Sequence, residues 1–243
     1  MYGWRTRLGA VVPSSNTTVE GEFTTYAPEG VSVHAARMPL ESVTPDELDA
    51  MADAAVECAD RLSHADVDVV AYACTTGSLL HGPGFDRELE LSLAEAAGVP
   101  AVATALSVKR ALHVIGAERL AVVTPYTEEL NQRETDYLES AGYDVITLDG
   151  LGVESNTEIG EQTPENAYRQ TRMCLDTAPE VDAVFVSCTN YRTLPMIERF
   201  ERDCDVPVVT SNGATLWDAL QRADVSTADI PGRFTSARHG GLV

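Results

Sequence analysis

The sequence predicts an α/β fold of two pseudosymmetric lobes, each a four-stranded parallel sheet flanked by helices, and two observations carry that prediction. Short valine-rich apolar runs alternate with longer segments of helical period, the pattern of parallel strands covered on both faces. The landmarks of the first half also return in the same order in the second, each displaced by a little over a hundred residues. Arg7-Leu8-Gly9-Ala10-Val11-Val12-Pro13 returns as Arg119-Leu120-Ala121-Val122-Val123-Thr124-Pro125, and Thr44-Pro45-Asp46 as Thr163-Pro164-Glu165. Residues 67–76, ending in Cys74-Thr75-Thr76, return as 181–190, ending in Cys188-Thr189-Asn190, and Val99-Pro100-Ala101-Val102 returns as Val206-Pro207-Val208-Val209. Ordered landmarks of this kind mark a duplicated half-protein.

In chain order, strands are expected at 8–12, 31–36, 69–73 and 101–103, then at 120–124, 144–148, 183–187 and 208–210. Thr44-Pro45 and Thr163-Pro164 each place a capping hydroxyl before a proline at the first helical position, so helices should run from there to 63 and 177. Pro83-Gly84 precedes a helix to 97, and Thr193-Leu194-Pro195 opens its counterpart to about 203. A last helix at about 215–223, by analogy with 107–114, crosses back onto the first lobe, so lobe 1 comprises 1–107 plus 212–243 and lobe 2 comprises 108–211. Residues 150–166 lack a sustained apolar period and suit a mobile loop over a site. Their Gly150-x-Gly152 pair is too short a signal for a dinucleotide site.

With 243 residues and 44% hydrophobic content, the chain can bury one large core or two small ones. No apolar run approaches the ~20 residues of a membrane helix, and Met1-Tyr2-Gly3-Trp4-Arg5-Thr6-Arg7 leads into a strand pattern instead of a cleavable apolar core. A cytoplasmic protein is expected. The 38 acidic against 17 basic residues, with Lys109 the sole lysine, make nucleic acid and anionic membrane poor partners. The acidic residues are scattered along helical segments, which reads as a solvated surface adapted to a high-salt cytoplasm.

Five cysteines, at 58, 74, 174, 188 and 204, argue against a disulfide framework, and no Cys-x-x-Cys or His-x-x-x-His spacing supports a metal. His34, His64, His81, His113 and His239 are dispersed and read as surface or packing residues. In a parallel sheet, ligands bind beyond the carboxyl ends of the strands. Four loops there carry small polar residues: Pro13-Ser14-Ser15-Asn16-Thr17, Cys74-Thr75-Thr76-Gly77-Ser78, Pro125-Tyr126-Thr127 and Cys188-Thr189-Asn190-Tyr191. If a pseudo-two-fold axis faces these ends together, the two thiols meet across a cleft on opposite sides of one small ligand. Free N–H groups of a following helix would lower a thiol pKa toward neutrality, so the pair could act as base and acid, or one sulfur could add covalently. With no lysine in these loops and only Arg192 close, anion binding falls to hydroxyls, Asn amides and backbone N–H groups, which suits a small carboxylate. Cys58, Cys174 and Cys204 read as buried small hydrophobes.

Val12-Pro13-Ser14-Ser15-Asn16-Thr17-Thr18-Val19-Glu20, Tyr72-Ala73-Cys74-Thr75, Ser187-Cys188-Thr189-Asn190-Tyr191-Arg192-Thr193 and Thr210-Ser211-Asn212 resemble the maleate cis-trans isomerase family of the aspartate/glutamate racemase superfamily, with arylmalonate decarboxylases as near relatives. The resemblance runs over nearly the whole chain. It implies an enzyme without cofactor or metal, with its active site between the lobes, acting on a small unsaturated dicarboxylate and forming a homo-oligomer, a dimer or larger. Carried over, Cys74 is the nucleophile that forms a succinyl-cysteine intermediate, and Cys188 supplies and recovers the proton. Asn16, Tyr126 and Asn156 match carboxylate-binding positions, and Ser14, Thr75, Thr76, Thr189 and Asn190 add donors. Asn16 equally suits a cap for the helix after Pro13, Tyr126 a packing ring, and Arg192 a buttress of its turn. The decarboxylases resemble this chain but keep only the second cysteine, so both thiols argue against that activity. A two-cysteine amino-acid or hydantoin racemase is the alternative, and a non-catalytic binding protein the reading from another class. Thr76 stands where relatives carry serine, and Gly213-Ala214-Thr215 replaces a bulkier stretch, which either enlarges the pocket or alters a helix start.

Overall fold

The computed structural model describes residues 1–40, 51–79, 82–178 and 180–237, apart from the side chain of residue 53, and these hold two parallel sheets of matching strand order. In the first, β1 (Thr6–Pro13) lies between β2 (Val31–Met38) and β3 (Val69–Tyr72), with β4 (Ala101–Ala103) beyond, in the order β2-β1-β3-β4. In the second, β5 (Arg119–Thr124) lies between β6 (Asp144–Gly150) and β7 (Ala183–Val186), with β8 (Val208–Thr210) beyond, in the order β6-β5-β7-β8.

The duplication extends to single hydrogen bonds. Leu8 pairs with Val69 as Leu120 pairs with Ala183. Asp68 N–H donates to the Arg7 carbonyl at 2.8 Å, as Asp182 N–H does to that of Arg119 at 2.8 Å. In return each aspartate carboxylate accepts the Arg7 or Arg119 amide at 2.7 Å. The strand order reverses between β1 and β3 and again between β5 and β7, and a crevice opens beyond the carboxyl ends at such a switch. Pro13 and Cys74 leave the first crevice, and Tyr126 and Cys188 the second. The lobes differ in one ladder: β5 and β6 slip register between Leu120 and Ala121, while β1 and β2 pair without a shift.

Alternate residues of β1 feed different cores, as expected of a sheet covered on both faces. Leu8, Ala10 and Val12 pack with Trp217 and Leu220, whereas Val11 packs with Met51 and Tyr72. The helices are α1 (Val19–Tyr26), α2 (Met51–Ser63), α3 (Thr75–Leu79), α4 (Phe85–Ala97), α5 (Thr104–Val114), α6 (Glu128–Ser140), α7 (Asn156–Gly160), α8 (Pro164–Thr177), α9 (Ile197–Cys204) and α10 (Ser211–Arg222). None is long and apolar enough to cross a membrane among the described residues. Helix α8 starts where its sequence signal lies, with Thr163 Oγ1 accepting from Asn166 N–H at 3.2 Å and Pro164 in the first turn. The matching Thr44-Pro45 start lies outside the described residues, as do His81, His239 and the last six residues assigned to lobe 1.

Three elements depart from expectation. Helix α10 begins at Ser211 instead of Thr215, because Thr210 Oγ1 accepts from Gly213 N–H at 3.1 Å and residues 211–214 are buried, so packing overrides a loop-like Ser-Asn-Gly. Gly213 therefore belongs to a helix start, where a Cβ would press on Thr210 and Leu194. Residues 150–166 are not an unstructured loop, since β6 extends to Gly150 and α7 follows, capped by Ser155. The segment after Thr193 opens with a 3₁₀ turn, Leu194–Met196, before α9.

Helix α10 lies against α5, β3 and β4, which brings the end of the second half onto the first lobe. A division at 107/108 falls inside α5. Trp217 is fully buried there and meets Phe234 edge-on, with ring centroids 5.7 Å apart. Where α4, α5 and α10 meet, buried Arg110 reaches Glu90 at 2.7 Å and Asp218 at 2.6 Å, while Ser107 donates to Asp218 at 2.8 Å. Charges so deeply buried are tolerated because they are paired.

Candidate active site

The polypeptide leaving β1 turns sharply at Pro13. Asn16 Oδ1 accepts from Thr18 and Val19 N–H at 2.9 and 3.0 Å, satisfying free amides at the start of α1. Its Nδ2 reaches across to Thr189 Oγ1 at 3.3 Å. Asn16 is thus both a cap and part of a wall shared between lobes.

Cys74 is separated from β3 by one residue, Ala73, and leads directly into α3. Its Sγ lies 3.7 Å from Thr76 Oγ1 and faces the Gly77 N–H. A side chain at Gly77 would collide with the Tyr72 hydroxyl and press on Cys74 Sγ, so glycine permits this close approach. Thr75 Oγ1 donates to Ser211 Oγ at 2.8 Å, which ties the turn to the start of α10.

Cys188 is held differently. Its φ is +88°, a left-handed conformation that costs a non-glycine residue about 1–3 kcal/mol and persists only where surroundings enforce it. Asn190 N–H donates to its Sγ at 3.4 Å, and the Tyr126 hydroxyl lies against the same thiol and Ser187. Tyr126 is placed by the turn after β5, where its N–H donates to Thr124 Oγ1 at 3.1 Å. Thr189 Oγ1 donates to the Ala73 carbonyl at 3.0 Å, so the second cysteine turn touches the first lobe's strand end.

One small cavity unites these groups. It is lined by Asn16, Cys74, Thr75, Thr76, Tyr126, Asn156, Cys188 and Thr189, together with Pro13 and Leu40. Its volume is about 10 Å³, room for roughly one water. A larger hollow of about 440 Å³, lined in part by Gln221, Asp224 and Thr235, holds no thiol. The walls of the small cavity carry no lysine, arginine or histidine among the described residues; they offer hydroxyls, amides and two sulfurs. Among the described residues no cluster of His, Cys, Asp and Glu is arranged to hold a metal ion.

Two residues expected at the site do not line it. Ser14 is exposed and spends its hydroxyl on the Leu40 backbone, accepting from N–H at 3.0 Å and donating to the carbonyl at 3.2 Å. Asn190 is buried as a staple: Oδ1 accepts from Thr17 N–H at 2.9 Å and Nδ2 donates to the Asn156 carbonyl at 2.5 Å. Asn156 in turn donates to Ser15 Oγ at 2.8 Å. Arg192 is exposed and acts on the cavity surroundings only through its charge on Glu22.

The expectation of thiols lowered toward neutrality is overturned. Burial raises Cys74 despite the Gly77 amide and the Thr76 hydroxyl, and it pushes Cys188 up to about 12 despite Tyr126 and two turn amides. Withdrawing a thiolate from water costs more than a few neutral donors return. Cys58 and Cys174 are buried free thiols and Cys204 a half-buried one, none lining the cavity.

Two carboxyls escaped the sequence reading. Glu22 on α1 accepts from Thr193 and Leu194 N–H at 2.9 and 3.0 Å and from Asn212 Nδ2 at 2.6 Å. Glu134 on α6 accepts from Ser187 Oγ at 2.6 Å. Burial raises both to about 7. A signal was present, because each glutamate stands nine residues after the proline that closes its lobe's first strand, Pro13 or Pro125.

A sequence model described as arylmalonate decarboxylase matches residues 8–234. The chain is 33% identical over 247 residues to a maleate isomerase of Nocardia farcinica, covering 98% of this chain and 97% of that one. Its structure is similar to Nocardia farcinica maleate cis-trans isomerase bound to Tris, with a TM-score of 0.89 and 31% identity over 95% of this chain and 98% of that one. A cysteine-to-serine mutant of that isomerase with a covalently bound succinylcysteine intermediate is similar with a TM-score of 0.87 and 28% identity, over 97% of this chain and 99% of that one.

Proposed function

Because the chain belongs to the arylmalonate decarboxylase family, and within it to the maleate isomerases, we propose that this isomerase converts maleate or a similar small unsaturated dicarboxylate to its trans isomer without a cofactor. The observation that carries the reading is the pair of cysteines, one from each lobe, on the wall of one cavity lined by neutral donors. Cys74, as thiolate, adds to one alkene carbon while Cys188 gives its proton to the other. The former double bond is now single and rotates. Cys188 then takes the proton back as the Cys74–carbon bond breaks, so no atom or electron is gained or lost.

Burial raises both thiols, so the Cys74 thiolate is favoured to form before the substrate excludes water from the cavity. A four-carbon diacid also needs more space than about 10 Å³, so its entry parts the walls. Thr76, Asn16 and Asn156 supply side-chain donors for its two carboxylates, and Thr75, Thr189 and Tyr126, whose hydroxyl hydrogens face Ser211, the Ala73 carbonyl and Cys188, shape the wall around them. The thiol pair would serve a racemase equally, and covalency separates the two. Enzyme quenched with maleate at high salt should carry a succinyl-sized adduct on Cys74 by mass spectrometry, with fumarate appearing by NMR. Absence of both, with deuterium uptake at the α-carbon of an amino acid or hydantoin, would replace this reading by racemisation.

A further inference from the structure

Glu134 plays no part in the scheme above, yet it ends a buried row of hydroxyls, Tyr126 and Ser187, that begins at Cys188. The Tyr126 hydroxyl lies against both the Cys188 thiol and Ser187, near enough to act on the thiol, and Ser187 Oγ donates to Glu134 Oε1 at 2.6 Å. The second oxygen, Oε2, is buried with no partner among the described residues, in a side chain that is 1% exposed. An unpaired, desolvated carboxyl oxygen is a liability in a structural role.

The equivalent carboxyl in the first lobe is used up. Glu22 stands at the same place in the repeat and accepts three hydrogen bonds, two of them from backbone amides of the second lobe. Behind Cys74 there is also no path to it, since Ala73 replaces Ser187 and Ser14 replaces Tyr126. The hydroxyl chain exists behind one thiol only.

Ser187 has a single hydrogen and two neighbours that can accept it, Glu134 and Tyr126. When Glu134 is a carboxylate it takes that hydrogen, the chain runs toward Glu134, and Cys188 is left as the donor at the far end. When Glu134 is a neutral acid it donates to Ser187, Ser187 donates to Tyr126, and the Tyr126 hydrogen is free for the sulfur. We propose that Glu134 is a positioning residue that, as a neutral acid, aims the Ser187–Tyr126 chain at Cys188 and stabilises the thiolate left when Cys188 gives up its proton. This rests on the assignment of Cys188 as the proton-handling thiol. The two arrangements differ by one proton moved from Cys188 to Glu134, each hydroxyl receiving one and passing one on, so both carry one negative charge; with thiol and acid both protonated the pair is neutral, and the charge appears on Cys188 when it gives its proton to the substrate. Burial, which raises Glu134 to about 7, keeps a large neutral fraction available near neutrality. The other titratable groups acting on Cys188 are Cys74 and, from its own turn, Tyr191, while Glu134 faces Tyr126.

The test reads the two ends without substrate. In a Cys74→Ser protein, difference infrared spectra against Glu134→Gln and Cys188→Ser isolate the Glu134 carboxylic-acid band and the Cys188 S–H band, each followed with pH. The acid band should be present at neutral pH, and Glu134→Gln, which always donates, should lower the pH at which the S–H band is lost by about one unit. Ser187→Ala should abolish that effect of Glu134→Gln. With Cys74 restored, Glu134→Gln should keep kcat for maleate within about 10-fold while Glu134→Ala loses more, KM changing little. An S–H titration that Glu134→Gln leaves unmoved, in a protein of unchanged fold, overturns the proposal. A wild type that makes no fumarate overturns the isomerase reading instead, and leaves the infrared result standing.

Discussion

The two cysteine turns occupy the same place in two copies of one unit, and they are built for different work. Cys74 runs straight into α3, with ordinary backbone geometry, a glycine that lets sulfur approach the helix, and a threonine beside it. Cys188 is forced to a φ of +88°, caged by Tyr126 and backed by Ser187 and Glu134. Duplication accounts for where the sulfurs are; divergence of their neighbours accounts for what each can do. A thiol with one hydroxyl near it suits addition to a carbon, and a thiol at the end of a hydroxyl chain suits repeated loss and recovery of a proton.

The sharpest way to break this contrast is to remove each sulfur in turn. Cys74→Ser and Cys188→Ser should each lower turnover of maleate by about 10²–10⁴-fold, but only Cys188→Ser should accumulate an adduct on the remaining thiol. Equal adduct levels in both variants, measured by intact-protein mass spectrometry, would mean that the turns are interchangeable.

The paired glutamates sharpen the comparison through stability. A carboxyl raised in the folded state contributes most below its unfolded value of about 4.5, and that contribution is lost as pH rises to about 7. Glu134→Gln should therefore stabilise the protein by up to about 3 kcal/mol at pH 8 and by little at pH 4, read from denaturant midpoints. Glu22→Gln should gain less at pH 8, because its amide would point a donor at the Asn212 Nδ2 that now donates to the carboxylate.

Backbone strain gives a third contrast. Glycine at 188 relieves a left-handed φ and glycine at 74 relieves nothing, so Cys74→Gly should cost about 1–3 kcal/mol more than Cys188→Gly in urea unfolding. Where the lobes are nearly alike, substitutions should be nearly alike too. Asp68→Ala removes one amide contact, to Arg7, and Asp182→Ala removes two, to Arg119 and Glu118, so the first should cost about 0.5–1.5 kcal/mol and the second somewhat more. Equal costs, read from urea unfolding, would mean that the added Glu118 amide contributes nothing.

All eight strands were legible in the sequence: six because a buried parallel strand is a short run rich in valine and alanine, and the half-exposed edge strands β2 and β6 because they keep β-branched residues. Helix α8 was legible from its own capping threonine and proline. The start of α10 was not, since Ser211-Asn212-Gly213 has the composition of a turn and becomes helical only because it is wedged between lobes. Helix α7 is too short to show a period. At the site, Cys74 and Cys188 could be placed on one wall by repeat logic, and Thr189 and Tyr126 by their strand-end loops and the family resemblance, whereas Ser14 and Asn190 carry the same residue chemistry and are spent on backbone groups.

What the sequence by itself determined is the repeat: two sheets of one topology, and through them two thiols at matching switch points, because strand patterns and turn residues are local properties. The electrostatics belonged to the tertiary structure. Helix amides and hydroxyls around each sulfur can be anticipated from neighbours in the chain, but the loss of solvent that outweighs them depends on how far the other lobe closes over the turn. That closure raises both thiols, leaves one Glu134 oxygen without a partner among the described residues, and makes two copies of one cysteine turn unequal.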